Sequence, residues 1–196
     1  MVIDVHKREI NVKIVYYGPA VSGKTTNLLV IHRRLKPAHR GELVSIDTKG
    51  ERTLFFDFLP VEVKIGGGFK VRFHLYTVPG QYFYKTSRKL VLRGADGIVF
   101  VADSQRNRAK DNRVIWDEMK DFLKSQGVSL ASVPIVLQYN KRDLQDIMSV
   151  EELHALFDGG RYPYFEAIAV QGKGVFETLD AISKAVLRSV LQKARV

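Results

Sequence analysis

The fold is decided by the stretch Gly18-Pro-Ala-Val-Ser-Gly-Lys-Thr25, which fits the pattern G-x-x-x-x-G-K-[ST] of a phosphate-binding loop. An apolar run at 10–17 precedes it and predicts a buried strand. The segment 26–35 follows it, with apolar residues at helical spacing. Strand, glycine loop and helix are the context that the pattern requires. The sequence therefore predicts a nucleotide-binding site at this loop.

Each part of the loop has a physical reason to be there. Gly18 and Gly23 allow a sharp turn that brings several N–H donors onto an anion, and the following helix adds the partial positive charge of its N-terminus. Lys24 supplies a point charge for the outer phosphates, and the Thr25 hydroxyl can bind Mg²⁺. The residues predicted to contact nucleotide here are Gly18, Pro19, Ala20, Val21, Ser22, Gly23, Lys24, Thr25 and Thr26.

Composition limits the class of protein. With 196 residues and 45% hydrophobic content, we expect residues 1–196 to form a single domain with an ordinary core. The chain contains no apolar run of about 18 residues, the length that suggests a membrane span. It has no cysteine for disulfides, metal sites, prenylation or palmitoylation, and Val2 in place of glycine excludes myristoylation. We therefore expect a cytoplasmic protein without a lipid anchor or transmembrane segment.

The formal net charge of +10 leaves two interpretations open, because the basic residues are spread along the whole chain. They form either ordinary solvated faces or a surface for an anionic partner such as an acidic protein or a lipid surface. Nucleic acid is the least favoured partner, because no aromatic-interleaved RNA motif or recognition-helix signature accompanies the charge.

Strands and helices alternate after the loop, which indicates an α/β layered domain. Pro60 cannot donate to a ladder, so we expect the strand 53–65 at a sheet edge, joined to the strand 69–77 by a hairpin turn at 66–68. The polar segment 37–52 predicts a mobile loop. Strands are predicted at 53–65, 69–77, 97–102 and 133–139, and helices at 82–93, 110–126, 150–157 and 174–191.

At Asn140-Lys-Arg-Asp143 the chain resembles the Ras-like small GTPases, whose base-recognition motif is Asn-Lys-x-Asp. The Asp143 carboxylate can accept hydrogen bonds from both N1–H and the 2-amino group of guanine, a pair that adenine does not offer. The resemblance implies that Lys141 lies along the base and that Asn140 braces the loops. It also implies a Ras-like P-loop fold: a mainly parallel six-stranded sheet with one antiparallel edge strand and helices on both faces.

Two further motifs extend this resemblance. The segment 164–171 is similar to the family's last strand and its Ser-Ala-Lys loop, of which only Ala169 is kept. The implied base contacts are Ala169, through its N–H to guanine O6, and the adjoining Val170 and Gln171. Thr77-Val-Pro-Gly-Gln81 resembles the motif Asp-x-x-Gly-Gln, which implies that Gly80 donates to the γ-phosphate and that Gln81 orients the attacking water.

Thr77 departs from that motif, because the family has an aspartate there that holds a magnesium-bound water. Asp57 interrupts the apolar run 55–58, and its carboxylate is a candidate to compensate; the alternative is that it points to solvent from an edge strand. A magnesium-ligating threonine is also expected in the polar loop. Thr48 and Thr53 are both available, and Thr53, at the mouth of the strand, fits better.

Arg52 stands directly before Thr53 and suggests an arginine supplied in cis to the γ-phosphate; the alternative is a solvent-exposed arginine. Ala20 favours the cis arginine. In Ras-like proteins glycine at its position leaves room for an arginine from an activating partner, and a methyl group there would crowd that approach.

The three segments 18–26, 47–58 and 77–81 together resemble the bacterial mutual gliding motility protein A (MglA) family of GTPases. The resemblance covers nearly the whole chain. It implies a GTP/GDP switch in cell polarity and motility, with Mg²⁺ as cofactor, slow GTP hydrolysis and recruitment to a cell pole. The implied partners are a roadblock-fold activator (MglB) that binds as a dimer, and effectors that bind the GTP state.

Two other functions stay open. A GTP-binding scaffold with negligible turnover is favoured by the missing charge at Thr77. A translation or ribosome-assembly GTPase would suit the basic charge, but such proteins usually carry RNA-binding appendages, and the sequence shows none.

Overall fold

The structure is a computed structural model that describes residues 2–4, 6–47, 55–64, 68–79 and 84–193. Eight strands in these ranges form one sheet: β1 Val2–Asp4, β2 Glu9–Tyr17, β3 Val44–Asp47, β4 Phe55–Lys64, β5 Lys70–Thr77, β6 Gly97–Asp103, β7 Ile135–Asn140 and β8 Tyr164–Glu166. The α-helices of the same ranges are α1 Lys24–Arg34, α2 Lys85–Leu92, α3 Ala109–Ser125, α4 Val150–Leu156 and α5 Val175–Lys193.

The strand order is β3-β4-β5-β2-β6-β7-β8, and β1 pairs with β2 beside this path. The strands from β5 to β8 along this order are parallel, whereas β3, β4 and β1 pair antiparallel with their neighbours. Because parallel strands point the same way, the loops after β2, β5, β6, β7 and β8 meet at one edge of the sheet. That edge is where the predicted site residues fall.

Helices cover both faces of the sheet, as predicted. On one face Leu28 and Ile31 of α1 and Ile182 of α5 join a core with residues of β2 and β5. On the other face Trp116 of α3 and Leu153 of α4 pack against β6 and β7. Strands β6 and β7 are buried along their whole length, which explains why their sequences are mainly apolar.

A buried ion pair joins α2 to α3. The Arg88 side chain is fully buried, and its Nε and Nη2 donate to the two carboxylate oxygens of Glu118 at 2.7 and 2.9 Å. The Tyr17 hydroxyl donates to the same carboxylate at 2.9 Å, and Nη1 of Arg88 donates to the Pro79 carbonyl at 3.4 Å. The end of the segment after β5 is therefore tied to the α2–α3 layer.

The predicted fold class is confirmed, with two short strands, β1 and β3, in addition to the six predicted. The predicted helices that became α3, α4 and α5 agree with the structure to within two residues at each end. The prediction of a loop over 37–52 was wrong in part, because residues 44–47 form β3 against residues 55–58 of β4. That pairing depends on a partner distant in sequence, which a local polar pattern does not reveal.

The expectation that the strand with Pro60 lies at the sheet edge was wrong in part, because β3 pairs with residues 55–58 of β4 on the side away from β5. The Gly41 N–H donates to the Pro60 carbonyl at 2.9 Å on the side away from β5. The N and the carbonyl of one strand residue face the same side, so the N–H that proline lacks would also face outward, beyond the end of β3. None of the helices in the described part of the chain combines the length and apolarity needed to cross a membrane.

The capping box at the start of α4 gives a test of local stability. The Ser149 hydroxyl accepts from the Glu152 N–H, and the Glu152 carboxylate accepts from the Ser149 N–H. We expect Ser149→Ala to lower the free energy of unfolding by about 1 kcal/mol, because it leaves a helical N–H without its acceptor. Urea denaturation measures this. Ser149→Asp keeps an acceptor and is the matched control; an equal loss in both variants would contradict the role of the cap.

Candidate functional site

The glycine loop has the backbone that its sequence predicts. Gly18 and Gly23 have φ angles of 145° and 102°, which L side chains rarely adopt. A Cβ atom at Gly18 would collide with the Val101 carbonyl oxygen, and one at Gly23 would collide with the Asn140 side chain. Both positions therefore require glycine for space as well as for conformation.

Lys24 is buried at the base of this loop, with 6% of its surface exposed. Its ammonium group donates to the carbonyls of Gly18 at 3.0 Å and Pro19 at 2.6 Å. Burial lowers the pKa of Lys24 to about 7, with a further lowering from the Arg88 and Arg108 cations and an opposing effect from Asp57. A buried ammonium near two other cations and next to backbone donors fits an anionic ligand such as phosphate.

The Asp57 carboxylate lies against the start of α1 rather than in solvent. Its Oδ2 accepts from the Thr25 hydroxyl at 2.6 Å and from the Thr77 hydroxyl at 2.9 Å. The Asp57 N–H donates back to the Thr77 oxygen at 2.8 Å. The structure thus brings together three of the four residues proposed for magnesium, Thr25, Asp57 and Thr77, and their oxygen donors suit that cation.

Ser45 is a member of this cluster that sequence reasoning missed. Its hydroxyl donates to Oδ1 of Asp57 at 2.7 Å, because Ser45 and Asp57 are directly opposed in the β3–β4 ladder. The sequence alone does not indicate this contact, because it depends on the pairing of β3 with β4. Each oxygen of the Asp57 carboxylate therefore has a hydroxyl partner.

Asn140 braces the loops in the way expected of it. Its amide Nδ2 donates to the Ser22 carbonyl of the glycine loop at 2.8 Å, and its Oδ1 accepts from the Ala169 N–H at 2.9 Å. This second bond gives the Ala169 N–H a different partner from the guanine O6 expected for it. The reason is that the 3₁₀ turn at Ala169–Gln171 places that N–H on the Asn140 side chain. The neighbouring Val170 side chain is 74% exposed.

Two polar residues complete the motif after β7. The Lys141 ammonium pairs with the buried Asp103 carboxylate at 2.6 Å, and Lys141 has a left-handed backbone with φ 68°. Asp143 is exposed, and within the described ranges its carboxylate has no hydrogen-bond or ion-pair partner. Arg142 between them is held away by Glu166 at 2.8 Å and the Met148 carbonyl at 2.6 Å. The Asp143 carboxylate is available to accept hydrogen bonds from a ligand.

Gln171 is fixed in the structure through its backbone. The Gln171 carbonyl accepts from Arg34 at 2.6 Å, so its backbone is fixed to the end of α1. The structure does not describe the predicted site residues Arg52, Thr53, Gly80 and Gln81, nor Thr48, the alternative candidate for the magnesium-ligating threonine.

Two more residues near the loops were missed from the sequence. Asp103 ends β6 and is fully buried, and its position directly after an apolar run was a signal that could have identified it. Arg108 donates from Nη2 to the Ala20 carbonyl at 3.0 Å, across 88 residues of sequence. Nothing in the sequence separates Arg108 from the many other basic residues.

Comparison with known proteins gives a consistent result. The Ras family model matches residues 13–188. The chain is similar to the mutual gliding-motility protein MglA of Myxococcus xanthus, with 50% identity over 94% of this chain and 95% of the relative. It is also similar to the human ADP-ribosylation factor-like protein 4A, with 28% identity over 89% of this chain and 83% of the relative.

The Asp57 cluster predicts an effect on metal affinity. We expect Asp57→Ala to weaken Mg²⁺ binding in the GTP-bound protein by about tenfold or more, because it removes a charge beside the Thr25 hydroxyl. Thr77→Ala keeps that charge and should have a smaller effect. Ser45→Ala is the matched control, since it removes one hydrogen bond to the other oxygen of Asp57. Equal losses in the Asp57 and Thr77 variants in a metal titration would contradict this arrangement.

The exposed Asp143 carboxylate predicts base specificity. Asp143→Asn should weaken GTP binding on the order of 100-fold and shift preference toward xanthosine triphosphate, whose 2-oxo group accepts from the new amide. Asp146→Asn, an exposed aspartate of the same loop, is the control. Affinities for the two nucleotides are compared by competition, and an unchanged preference for GTP would rule out Asp143 as the guanine-reading residue.

Proposed function

Because this chain belongs to the Ras family of small GTPases, we propose that it is a single-domain GTP/GDP switch that acts in bacterial cell polarity and gliding motility. The observation that carries the proposal is the Asn140 side chain, which joins the glycine loop and the loop before α5. Asn140 thereby links the glycine loop, with its N–H donors, to the segment that carries Asp143, whose carboxylate has no partner within the described ranges. A guanine nucleotide would use both groups.

Nucleotide binding divides between the two ends of this site. The loop 18–26, with Lys24 at its base, holds the phosphates through backbone N–H groups and the helix N-terminus. Asp143 reads the guanine edge, and Lys141, oriented by Asp103, lies along the base. We propose that Ala169, Val170 and Gln171 line the site beside the base. Ala169 is not assigned a direct hydrogen bond to guanine, because its N–H donates to Asn140.

Magnesium would be held by Thr25 and Thr53 together with the phosphates, and it would neutralise charge that develops on the phosphoryl oxygens. The hydrogen bond from Thr25 to Asp57 supports this assignment, because a hydroxyl that gives its proton to a carboxylate keeps its lone pairs for a cation. Thr77 brings no charge, but it fixes the Asp57 carboxylate in place.

We assign hydrolysis to residues of two segments outside the described ranges, one around Arg52 and Thr53 and the other around Gly80 and Gln81. Gln81 orients the attacking water, Gly80 donates to the γ-phosphate, and Arg52 stabilises the charge of the transition state. The Ala20 methyl group supports an arginine from this chain, because it narrows the approach for an arginine from a partner. We propose that intrinsic hydrolysis is slow and that an activator accelerates it by fixing the segment that carries Arg52.

The cellular role is proposed from the relative at 50% identity whose name gives gliding motility. The partners that we propose are a roadblock-fold activator of the MglB type, acting as a dimer, and effectors selected by the GTP state. We place the protein in the cytoplasm with recruitment to a cell pole. The alternative of a scaffold without turnover loses its main support, because Asp57 brings the carboxylate that Thr77 lacks.

Single-turnover hydrolysis with and without the activator tests the proposal. Stimulated hydrolysis should fall by about 10³–10⁵-fold in Arg52→Ala, while GTP affinity stays near the wild-type value, since the arginine is needed only in the transition state. Gln81→Leu should also abolish stimulation, because it removes the group that positions water. Arg33→Ala, an exposed arginine at the end of α1, is the control.

An activator stripped of its exposed arginines separates the two sources of the catalytic cation. If that activator fails while Arg52→Ala is still stimulated, the arginine comes from the partner and the assignment to Arg52 is wrong. If wild-type protein shows no hydrolysis with any activator, the scaffold function replaces the switch.

A further inference from the structure

Arg108 contacts the glycine loop from outside the motif. It ends the short 3₁₀ turn Arg106–Arg108 between β6 and α3. Its Nη2 donates to the Ala20 carbonyl at 3.0 Å, its Nη1 pairs with Asp111 at 2.5 Å, and its Nε lies 3.9 Å from Asp103. The guanidinium group is therefore held by two carboxylates while it holds one backbone carbonyl.

Val21, the residue after Ala20, has a backbone conformation that is unusual for a β-branched side chain. Its φ angle is 54°, in the left-handed region where a β-branched residue is a genuine outlier. Its side chain is 76% exposed, so apolar packing does not hold it in this conformation. A backbone interaction is needed instead, and the bond from Arg108 to the Ala20 carbonyl acts on the peptide that joins Ala20 to Val21.

This bond determines which way the peptide faces. No described peptide bond is cis, and in a trans peptide the C=O and the N–H point in opposite directions. With the Ala20 carbonyl bonded to Arg108, the Val21 N–H points away from that guanidinium group. Lys24, the cation expected at the outer phosphates, is bonded to the carbonyls of Gly18 and Pro19 in the same loop.

We propose that Arg108 is a positioning residue of the phosphate loop, which fixes the Ala20–Val21 peptide so that the Val21 N–H faces the phosphates. The inference rests on the proposed nucleotide binding and deepens it. Arg108 acts through the loop backbone and does not itself contact the nucleotide.

Asp103 extends the effect to the base. This fully buried carboxylate pairs with Lys141 at 2.6 Å and faces Arg108 at 3.9 Å. Asn112 fixes its backbone from both sides, accepting from the Asp103 N–H at 3.0 Å and donating to its carbonyl at 2.7 Å. The Asp103 carboxylate, at the end of β6, thus orients two cations: Arg108 toward the phosphate loop and Lys141 toward the base.

The test measures dissociation constants for GDP and a non-hydrolysable GTP analogue. Arg108→Gln should weaken both nucleotides by about tenfold, the effect of losing one charged hydrogen bond. Arg106→Gln is the matched control, because Arg106 lies on the same turn but bonds Glu152 and the Ile147 carbonyl instead. Its nucleotide affinity should stay within about twofold of wild type.

A second substitution distinguishes positioning from general stability. Glycine adopts the left-handed conformation without strain, so Val21→Gly should relieve the need for Arg108. We expect Arg108→Gln to change nucleotide affinity by less than about twofold in the Val21→Gly background. Arg108→Lys retains one donor and should show a smaller loss with the same dependence on Val21, and it replaces Arg108→Gln if that variant does not fold.

Two results would overturn the inference. One is a loss in Arg108→Gln no greater than that in Arg106→Gln. The other is an equal loss in the valine and glycine backgrounds, which would show that Arg108 acts elsewhere than on this peptide. If the wild-type protein binds no guanine nucleotide, the proposed function fails instead, so the two failures are distinguishable.

Discussion

Two hydrogen bonds from one buried amide hold the site in register. The Asn140 side chain joins the glycine loop to the turn at Ala169, and these segments come from opposite ends of the chain. A buried amide that loses one partner leaves a polar group unpaired, so neither loop can move alone without a free-energy penalty. The distance between the glycine loop and the turn at Ala169 is thereby set by one residue at the end of a buried strand.

The cluster around Asp57 supplies a carboxylate next to Thr77, at whose position the motif Asp-x-x-Gly-Gln has an aspartate. Asp57 on β4 and Thr77 on β5 share two hydrogen bonds, so the pair presents a carboxylate where a threonine alone would present none. Because Ser45 holds the other carboxylate oxygen, the position of this charge depends on β3 as well. The antiparallel strands are in this sense part of the site and not only of the scaffold.

Much of the fold was predictable because its signals are local. The mainly apolar sequences of β6 and β7, the capping box of α4 and the glycine loop each fix structure within a few residues. β3 was missed, because four residues in a polar segment become a strand only through their register with β4. Asp57 could be named as a candidate from the interrupted apolar run, but its contact with Thr25 depends on tertiary packing. The Arg108 contact had no sequence signal for the same reason.

The buried pair between Arg88 and Glu118 has a consequence for sequence divergence. Replacing either residue alone leaves the other as an unpaired charge buried between α2 and α3. Replacing both by apolar residues of similar volume avoids that buried charge. Homologous chains should therefore keep both residues or neither, and intermediates with one should be rare. Arg88 also donates to the Pro79 carbonyl. Homologous chains that lack the ion pair therefore need a different contact to hold the segment that follows β5.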